Sequence, residues 1–101
     1  MAMSRGIKEL EDIPNVGKSI AKDLRLLKVQ KPEDLKGKDA FDLYRRLCNK
    51  TGTRQDPCVL DVFISAIRFV EEGIKKPWWY YTKERKAILN QSNKENNQKN
   101  A

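Results

Sequence analysis

The chain contains no histidine, only two cysteines, and no apolar run long enough to cross a membrane. Without histidine it lacks the commonest general base and the commonest metal ligand. Two thiols alone cannot close a four-ligand zinc site in a monomer, so neither a metal nor another cofactor is expected. The N-terminal stretch MAMSRGIKEL lacks the apolar core of a signal peptide. We therefore expect a cytoplasmic protein with Cys48 and Cys58 as small, reduced, buried side chains.

Positive charge is what the sequence has in excess. The 101 residues include 21 lysines and arginines against 14 acidic residues, which leaves a net charge of +7 on a length that suits one domain. This balance favours a polyanionic partner, with nucleic acid first and an acidic protein or a membrane surface second. The sequence suggests neither a membrane anchor nor a small-molecule substrate.

The spacing of apolar residues predicts an all-α fold, a compact bundle of five helices without strands. The predicted helices cover about 7–12, 17–27, 40–50, 57–72 and 82–89, and KPEDLKG adds a single helical turn. The predicted domain is 1–89. Residues 90–101, NQSNKENNQKNA, have nothing to bury and are predicted to be a disordered tail.

The helix at 57–72 is apolar nearly all round, so it is predicted to be the central buried helix. Its narrow polar stripe consists of Asp61, Ser65, Arg68 and Glu72. We expect Asp61 and Arg68 to make a polar seam against a neighbouring helix, with a structural role. Asp39 and Asp56 have the residue type and position of N-caps.

The stretch IPNVGKS ends in Gly-Lys-Ser, as a nucleotide-binding P-loop does. A P-loop needs a glycine five residues before its Gly-Lys pair, and that position holds Asp12, whose negative charge would face a phosphate. A P-loop also follows a buried strand, whereas RGIKELE is polar and helical. The turn therefore needs another explanation.

In its context, LEDIPNVGKSIAKDL, the turn resembles the helix-hairpin-helix motif. The positions that fit the motif are Leu10, Ile13, Val16, Gly17, Ile20, Ala21 and Leu24. Asn15 departs from it, because the motif has a glycine there. Asparagine tolerates the left-handed conformation better than most residues, so the turn can survive the change.

The resemblance implies a site for a DNA backbone phosphate at the start of the second helix. A glycine lets the ligand approach unpaired N–H groups, and the helix dipole adds partial positive charge. The implied site comprises Asn15, the amides of Val16, Gly17, Lys18 and Ser19, and the basic side chains of Lys18, Lys22 and Arg25. The alternative is a packing device, a tight hairpin whose lysines are merely solvated.

Longer blocks narrow the resemblance. LYRRLCNKTGTRQDPCVLDVF and KKPWWYYTKERK are similar to the small bacterial pathogenicity-locus family, also labelled helix-hairpin-helix or mitomycin-resistance-type proteins. The similarity covers about residues 7–86, with departures at Asn15 and at Lys28, where the family often has glycine. It implies a compact α-helical domain, also seen at the C-terminus of competence regulators, and no established enzyme activity.

Two further features have both a functional and a structural interpretation. The run Trp78-Trp79-Tyr80-Tyr81, flanked by lysines, could stack on unpaired bases, but at least one Trp is expected to cover the core.

Cys58 lies near a helix N-terminus, where thiols can be activated. No base accompanies it, so a buried structural thiol is expected.

Two function hypotheses remain. The first is a sequence-independent DNA-binding module that contacts backbone phosphates. The second is a protein-interaction or regulatory domain whose basic surface meets an acidic partner without DNA. An enzyme is not expected, because no nucleophile, base or metal set converges.

Overall fold

The computed structural model describes residues 7–100, with side chains described for residues 7–91. Within this range the chain is all-helical and has no β-strand. The α-helices are α1 (Lys18–Leu26), α2 (Ala40–Thr51), α3 (Cys58–Glu72) and α4 (Thr82–Asn100). There are also three single 3₁₀ turns: η1 (Leu10–Asp12) precedes α1, η2 (Pro32–Leu35) lies between α1 and α2, and η3 (Trp78–Tyr81) lies between α3 and α4. The predicted all-α class is confirmed.

The prediction of five helices is wrong for the described residues, because the first segment is the 3₁₀ turn η1 and not an α-helix. The Asp12 carboxylate accepts hydrogen bonds from the amides of Lys8, at 3.0 Å, and Glu9, at 2.9 Å. These bonds join the end of the turn to the residues just before its start. Pro14 follows at once and disfavours helical backbone in the residue before it, so the segment cannot lengthen. Asp34 holds η2 in the same way.

Both predicted N-cap residues accept a hydrogen bond at the start of their helix. Asp39 accepts a hydrogen bond from the Phe41 amide at 3.1 Å, and Asp56 accepts one from the Cys58 amide at 2.9 Å. Gly52 and Gly73 end α2 and α3 with φ of 68° and 71°, in the left-handed region that favours glycine.

The last helix begins at Thr82, as predicted, but its backbone continues past Leu89 to Asn100. Helical backbone therefore covers most of the stretch predicted to be disordered. Only backbone is described from residue 92, and Ala101 lies outside the described residues. The division into a domain at 1–89 and a tail at 90–101 stays a prediction.

Helix α3 is the centre of the packing, as its apolar sequence predicts. Its fully buried apolar side chains include Leu60, Phe63, Ala66 and Val70. They meet Ala21 and Leu24 from α1 and Leu43 and Leu47 from α2 in one cluster. Because α3 is enclosed on nearly every side, its polar residues must find partners inside the protein.

Two residues of the polar stripe of α3, Asp61 and Arg68, have their partners on α4. Asp61 is 0% exposed, and its two oxygens accept hydrogen bonds from Arg85 Nε and Thr82 Oγ1, both at 2.8 Å. Arg68, two turns further along α3, pairs with Glu84 of α4. The predicted polar seam against a neighbouring helix is confirmed, with α4 as that neighbour.

Replacement of Asp61 by Ala should destabilise the fold strongly, by about 3–5 kcal/mol, because the Arg85 side chain is only 15% exposed and its guanidinium would lose its counter-charge. Urea denaturation followed by circular dichroism measures the loss. The double variant Asp61→Leu, Arg85→Leu should recover most of it, since no buried charge remains.

The matched control is Glu84→Gln, which breaks a pair whose side chains are 35% and 38% exposed. It should cost less than about 1 kcal/mol. A double variant no more stable than the single Asp61 variant would contradict this account of the seam.

Candidate nucleic-acid interface

The predicted turn enters α1 through a residue in the left-handed region. Asn15 has φ of 73°, and with Lys28 it is one of the two described non-glycine residues with positive φ. Gly17 is the N-cap of α1, with extended backbone at φ −90° and ψ −172°. The expectation that asparagine tolerates the left-handed conformation at this position is confirmed.

The Asn15 side chain fixes the position of the turn on the protein. Its Nδ2 donates to the Lys76 carbonyl oxygen at 2.7 Å and to Ser65 Oγ at 3.3 Å. The first bond joins the turn to the segment that precedes η3, and the second joins it to α3. Asn15 is therefore a positioning residue, since its amide group is engaged by the protein.

Three backbone amides at the start of α1 are free. Among residues 7–100, no protein acceptor receives a hydrogen bond from the amides of Gly17, Lys18 or Ser19, and Gly17 has no side chain to cap them. The Val16 amide must be removed from the predicted set, because it donates to the Ile13 carbonyl at 3.1 Å. The valine side chain is buried and holds the turn on the core.

The basic side chains of α1 differ in whether an acidic residue of the protein binds them. Lys18 and Lys22 are exposed, as is the Ser19 hydroxyl beside them. Arg25 is engaged, because its guanidinium donates two hydrogen bonds to the Glu11 carboxylate, at 2.8 and 2.9 Å. The predicted phosphate role of Arg25 is thereby weakened, and its role here is to tie α1 to η1.

Acidic groups of η1 oppose anion binding near this helix. The hydrogen bonds from Arg25 lower the pKa of Glu11 from 4.5 to about 2, so Glu11 stays charged at neutral pH. Asp12 also has a lowered pKa, because the Glu9 and Lys8 amides donate to it. The pairing with Arg25 offsets the charge of Glu11, which leaves Lys18 and Lys22 as the available cations.

The aromatic run is divided between core and solvent. Trp78 packs against the core and Tyr81 is 3% exposed, whereas Trp79 is 62% and Tyr80 60% exposed. The expectation that at least one Trp covers the core is confirmed for Trp78. The two indoles meet edge to face, with ring centroids 5.6 Å apart.

The surroundings of the two cysteines do not favour a reactive thiol or a metal site. Burial raises the pKa of the Cys58 thiol, and a hydrogen bond to Asp56 raises it further, which is the opposite of activation. Both cysteines are free thiols and both are half-buried, so they are less buried than predicted. Among the side chains described, no three of Cys, Asp and Glu form a group that could hold a metal ion.

Some residues that shape this surface were missed by reasoning from the sequence. Glu11 could have been suspected, because an acidic residue stands next to a motif whose second helix carries Arg25. Nothing in the sequence pointed to Lys76, since its carbonyl is brought to Asn15 only by the tertiary fold.

A groove of about 370 Å³ at the far end of α1 was also missed by reasoning from the sequence. It is lined by Leu26, Leu27, Lys28, Arg46, Asn49 and Lys50.

Comparison with known proteins identifies the family. A family model described as "Pathogenicity locus" matches residues 3–87. The chain is 37% identical over 81 residues to "Mitomycin resistance protein McrB" of Streptomyces lavendulae, an alignment that covers 80% of this chain and 77% of that protein. No solved structure matches the chain. The chain belongs to the pathogenicity locus family, which confirms the resemblance found in its sequence.

No helix in the described range is both long enough and apolar enough to cross a membrane.

The Glu11–Arg25 pair predicts a pH-dependent contribution to stability. Since folding lowers the pKa of Glu11, its contribution is complete above pH 4.5 and is lost as the pH falls towards about 2. The difference in free energy of unfolding between the parent and Glu11→Gln should therefore shrink over this interval. Denaturation of both proteins at a series of pH values measures it.

The matched control is Glu9→Gln, which removes a largely exposed carboxylate 3.8 Å from the same guanidinium. Its effect should be small at every pH. A Glu11→Gln difference that does not change across the interval would contradict the assignment.

Proposed function

We propose that this protein is a sequence-independent DNA-binding module that holds backbone phosphates at the N-terminus of α1. The observation that carries the proposal is the set of three unengaged amides, at Gly17, Lys18 and Ser19, on a turn that Asn15 fixes to the core. The helix dipole places partial positive charge at the same point. Such a site fits a phosphate without a dedicated side chain.

The motif proposed here is a reduced helix-hairpin-helix. Its first helix is the single turn η1, its hairpin runs through Asn15, and its second helix is α1. Ala21, the small residue expected to face the partner element, is fully buried. Leu10 and Ile13, also buried, keep η1 against the same core.

The side chains proposed to contribute are Lys18, Ser19 and Lys22, because they are exposed on the first turns of α1. Lys18 and Lys22 are four residues apart and so lie on one side of the helix, where they can reach neighbouring phosphates. Phosphate contacts fix position and register without reading bases. Binding should therefore weaken steeply with salt and depend little on sequence.

The proposed mode of action is binding and not catalysis. The chain has no histidine, and the pKa of its Cys58 thiol is raised, so neither a common general base nor an activated nucleophile supports an enzymatic function.

The decisive variant is Gly17→Asp, for which stability and binding should change in opposite directions. A Cβ at Gly17 meets nothing within 4 Å, so the side chain fits. As an N-cap, Asp would accept hydrogen bonds from the first-turn amides and stabilise α1 by about 0.5 kcal/mol. The same carboxylate would occupy the phosphate site, so DNA affinity should fall at least about tenfold, or about 1.4 kcal/mol.

Fluorescence anisotropy of labelled DNA and thermal unfolding measure the two effects. Lys22→Glu should weaken binding and reduce the salt slope by about one. Its matched control is Lys50→Glu, which makes the same charge change in the groove at the other end of α1 and should change affinity little. Equal losses from both substitutions, or undiminished binding by Gly17→Asp, would contradict a local phosphate site.

The second candidate function is binding of an acidic protein, and the groove at the C-terminal end of α1 favours it. Leu26 is 42% exposed beside the groove's three cations, Lys28, Arg46 and Lys50. An apolar surface ringed by positive charge suits an acidic amphipathic helix. If this is the function, Lys50→Glu should abolish complex formation with such a partner, and DNA should not bind near physiological salt.

A further inference from the structure

Two aromatic residues that are consecutive in the sequence, Trp79 and Tyr80, are exposed to solvent, although the other two aromatic residues of η3 pack on the core. Trp78 packs on the core and Tyr81 is buried, so the chain already has the aromatic packing that η3 provides. Trp79 and Tyr80 leave 62% and 60% of their surface in water. Large aromatic side chains that stay exposed without a packing role are candidates for a binding surface.

The exposed rings are connected to the candidate phosphate site through Lys76. The Lys76 carbonyl accepts the 2.7 Å hydrogen bond from Asn15, whose turn leads into the free amides of α1. The ammonium group of the same lysine lies over the Tyr80 ring, 5.2 Å from its centroid. Lys76 thus joins the turn to Tyr80, the residue that follows Trp79 in η3.

The charge around the rings favours a polyanion. Lys75 and Lys76 precede η3 and are exposed, and Lys83 and Lys86 follow it on the exposed side of α4. Glu84, the acidic residue between positions 75 and 86, is engaged by Arg68. Positive groups and a flat aromatic face together are the elements with which proteins hold single-stranded nucleic acid.

We propose that Trp79 stacks on an unpaired base of a DNA strand whose backbone phosphate is held by the amides of Gly17 to Ser19. This rests on the proposed function and specifies its ligand as single-stranded DNA, or the single-stranded extension of a duplex. In a continuous duplex each base is already stacked on both faces, so the Trp79 ring gains nothing there. The Lys76 ammonium supplies charge for an adjacent phosphate.

The first test compares thymidine oligonucleotides with a duplex of equal length by fluorescence anisotropy. The parent should bind the single strand more tightly. Trp79→Ala should weaken single-strand binding about 5- to 150-fold, the range for one stacked base. Duplex binding should hardly change. Trp79→Phe keeps an aromatic face and should retain most of the affinity.

The salt dependence separates stacking from charge. Trp79→Ala should lower affinity at every salt concentration without altering the salt slope, because stacking neutralises no phosphate. Lys22→Glu should reduce the slope by about 0.7 for each phosphate of a single strand that the variant no longer neutralises. Leu26→Ala is the matched control, since it removes another exposed apolar side chain at the far end of α1 and should leave binding unchanged.

The outcomes distinguish this inference from the function on which it rests. Equal affinity for single strand and duplex, with Trp79→Ala binding like the parent, would overturn the stacking site and leave the phosphate site standing. No binding of either DNA near physiological salt would overturn both. Circular dichroism of Trp79→Ala confirms that the variant is folded, as the exposure of the side chain leads us to expect.

Discussion

The buried polar groups of α3 determine how the segments around this helix are arranged. A helix enclosed on nearly all sides cannot leave a carboxylate or a hydroxyl without partners, because an unsatisfied buried polar group is costly. Asp61 is satisfied by Thr82 and Arg85, which fixes α4. Ser65 donates to the Val62 carbonyl and accepts from Asn15, which fixes the turn before α1. The central helix thus orders the two surfaces proposed to bind DNA.

That arrangement gives the candidate site its rigidity. Asn15 has a left-handed backbone conformation that most residues adopt at a cost, and its side chain joins two other segments. The amides of Gly17 to Ser19 are therefore presented by a turn that is fixed before any ligand arrives. A preorganised site loses less entropy on binding. The Glu11–Arg25 pair has the opposite effect on affinity, because it ties η1 to α1 but places a carboxylate beside the anion site.

Local signals in the sequence predicted most of the fold and part of the site. Apolar spacing found α1, α2 and α3, and Asp39 marked the start of α2, because these signals depend on neighbouring residues. The partners of Asn15 and Trp78 could not be predicted, because tertiary packing determines them, whereas the acidic partner of Arg25 had a local signal that was missed. Arg25 met Glu11, and of two adjacent indoles the fold turned Trp78 inward and Trp79 outward. The segment at 7–12 was mistaken for an α-helix because its Asp12–amide bonds favour a tighter turn.

The proposed DNA-binding surface runs from the start of α1 to Trp79. An ¹H–¹⁵N correlation spectrum recorded while a short thymidine oligonucleotide is added tests it most directly, since it reports every amide and both indole N–H groups. We expect the signals of the Gly17, Lys18 and Ser19 amides and of the Trp79 indole to shift together. Signals of Leu26, Lys28 and Lys50, which line the groove at the other end of α1, should stay in place. Shifts confined to that groove, or an unchanged spectrum, would contradict the account.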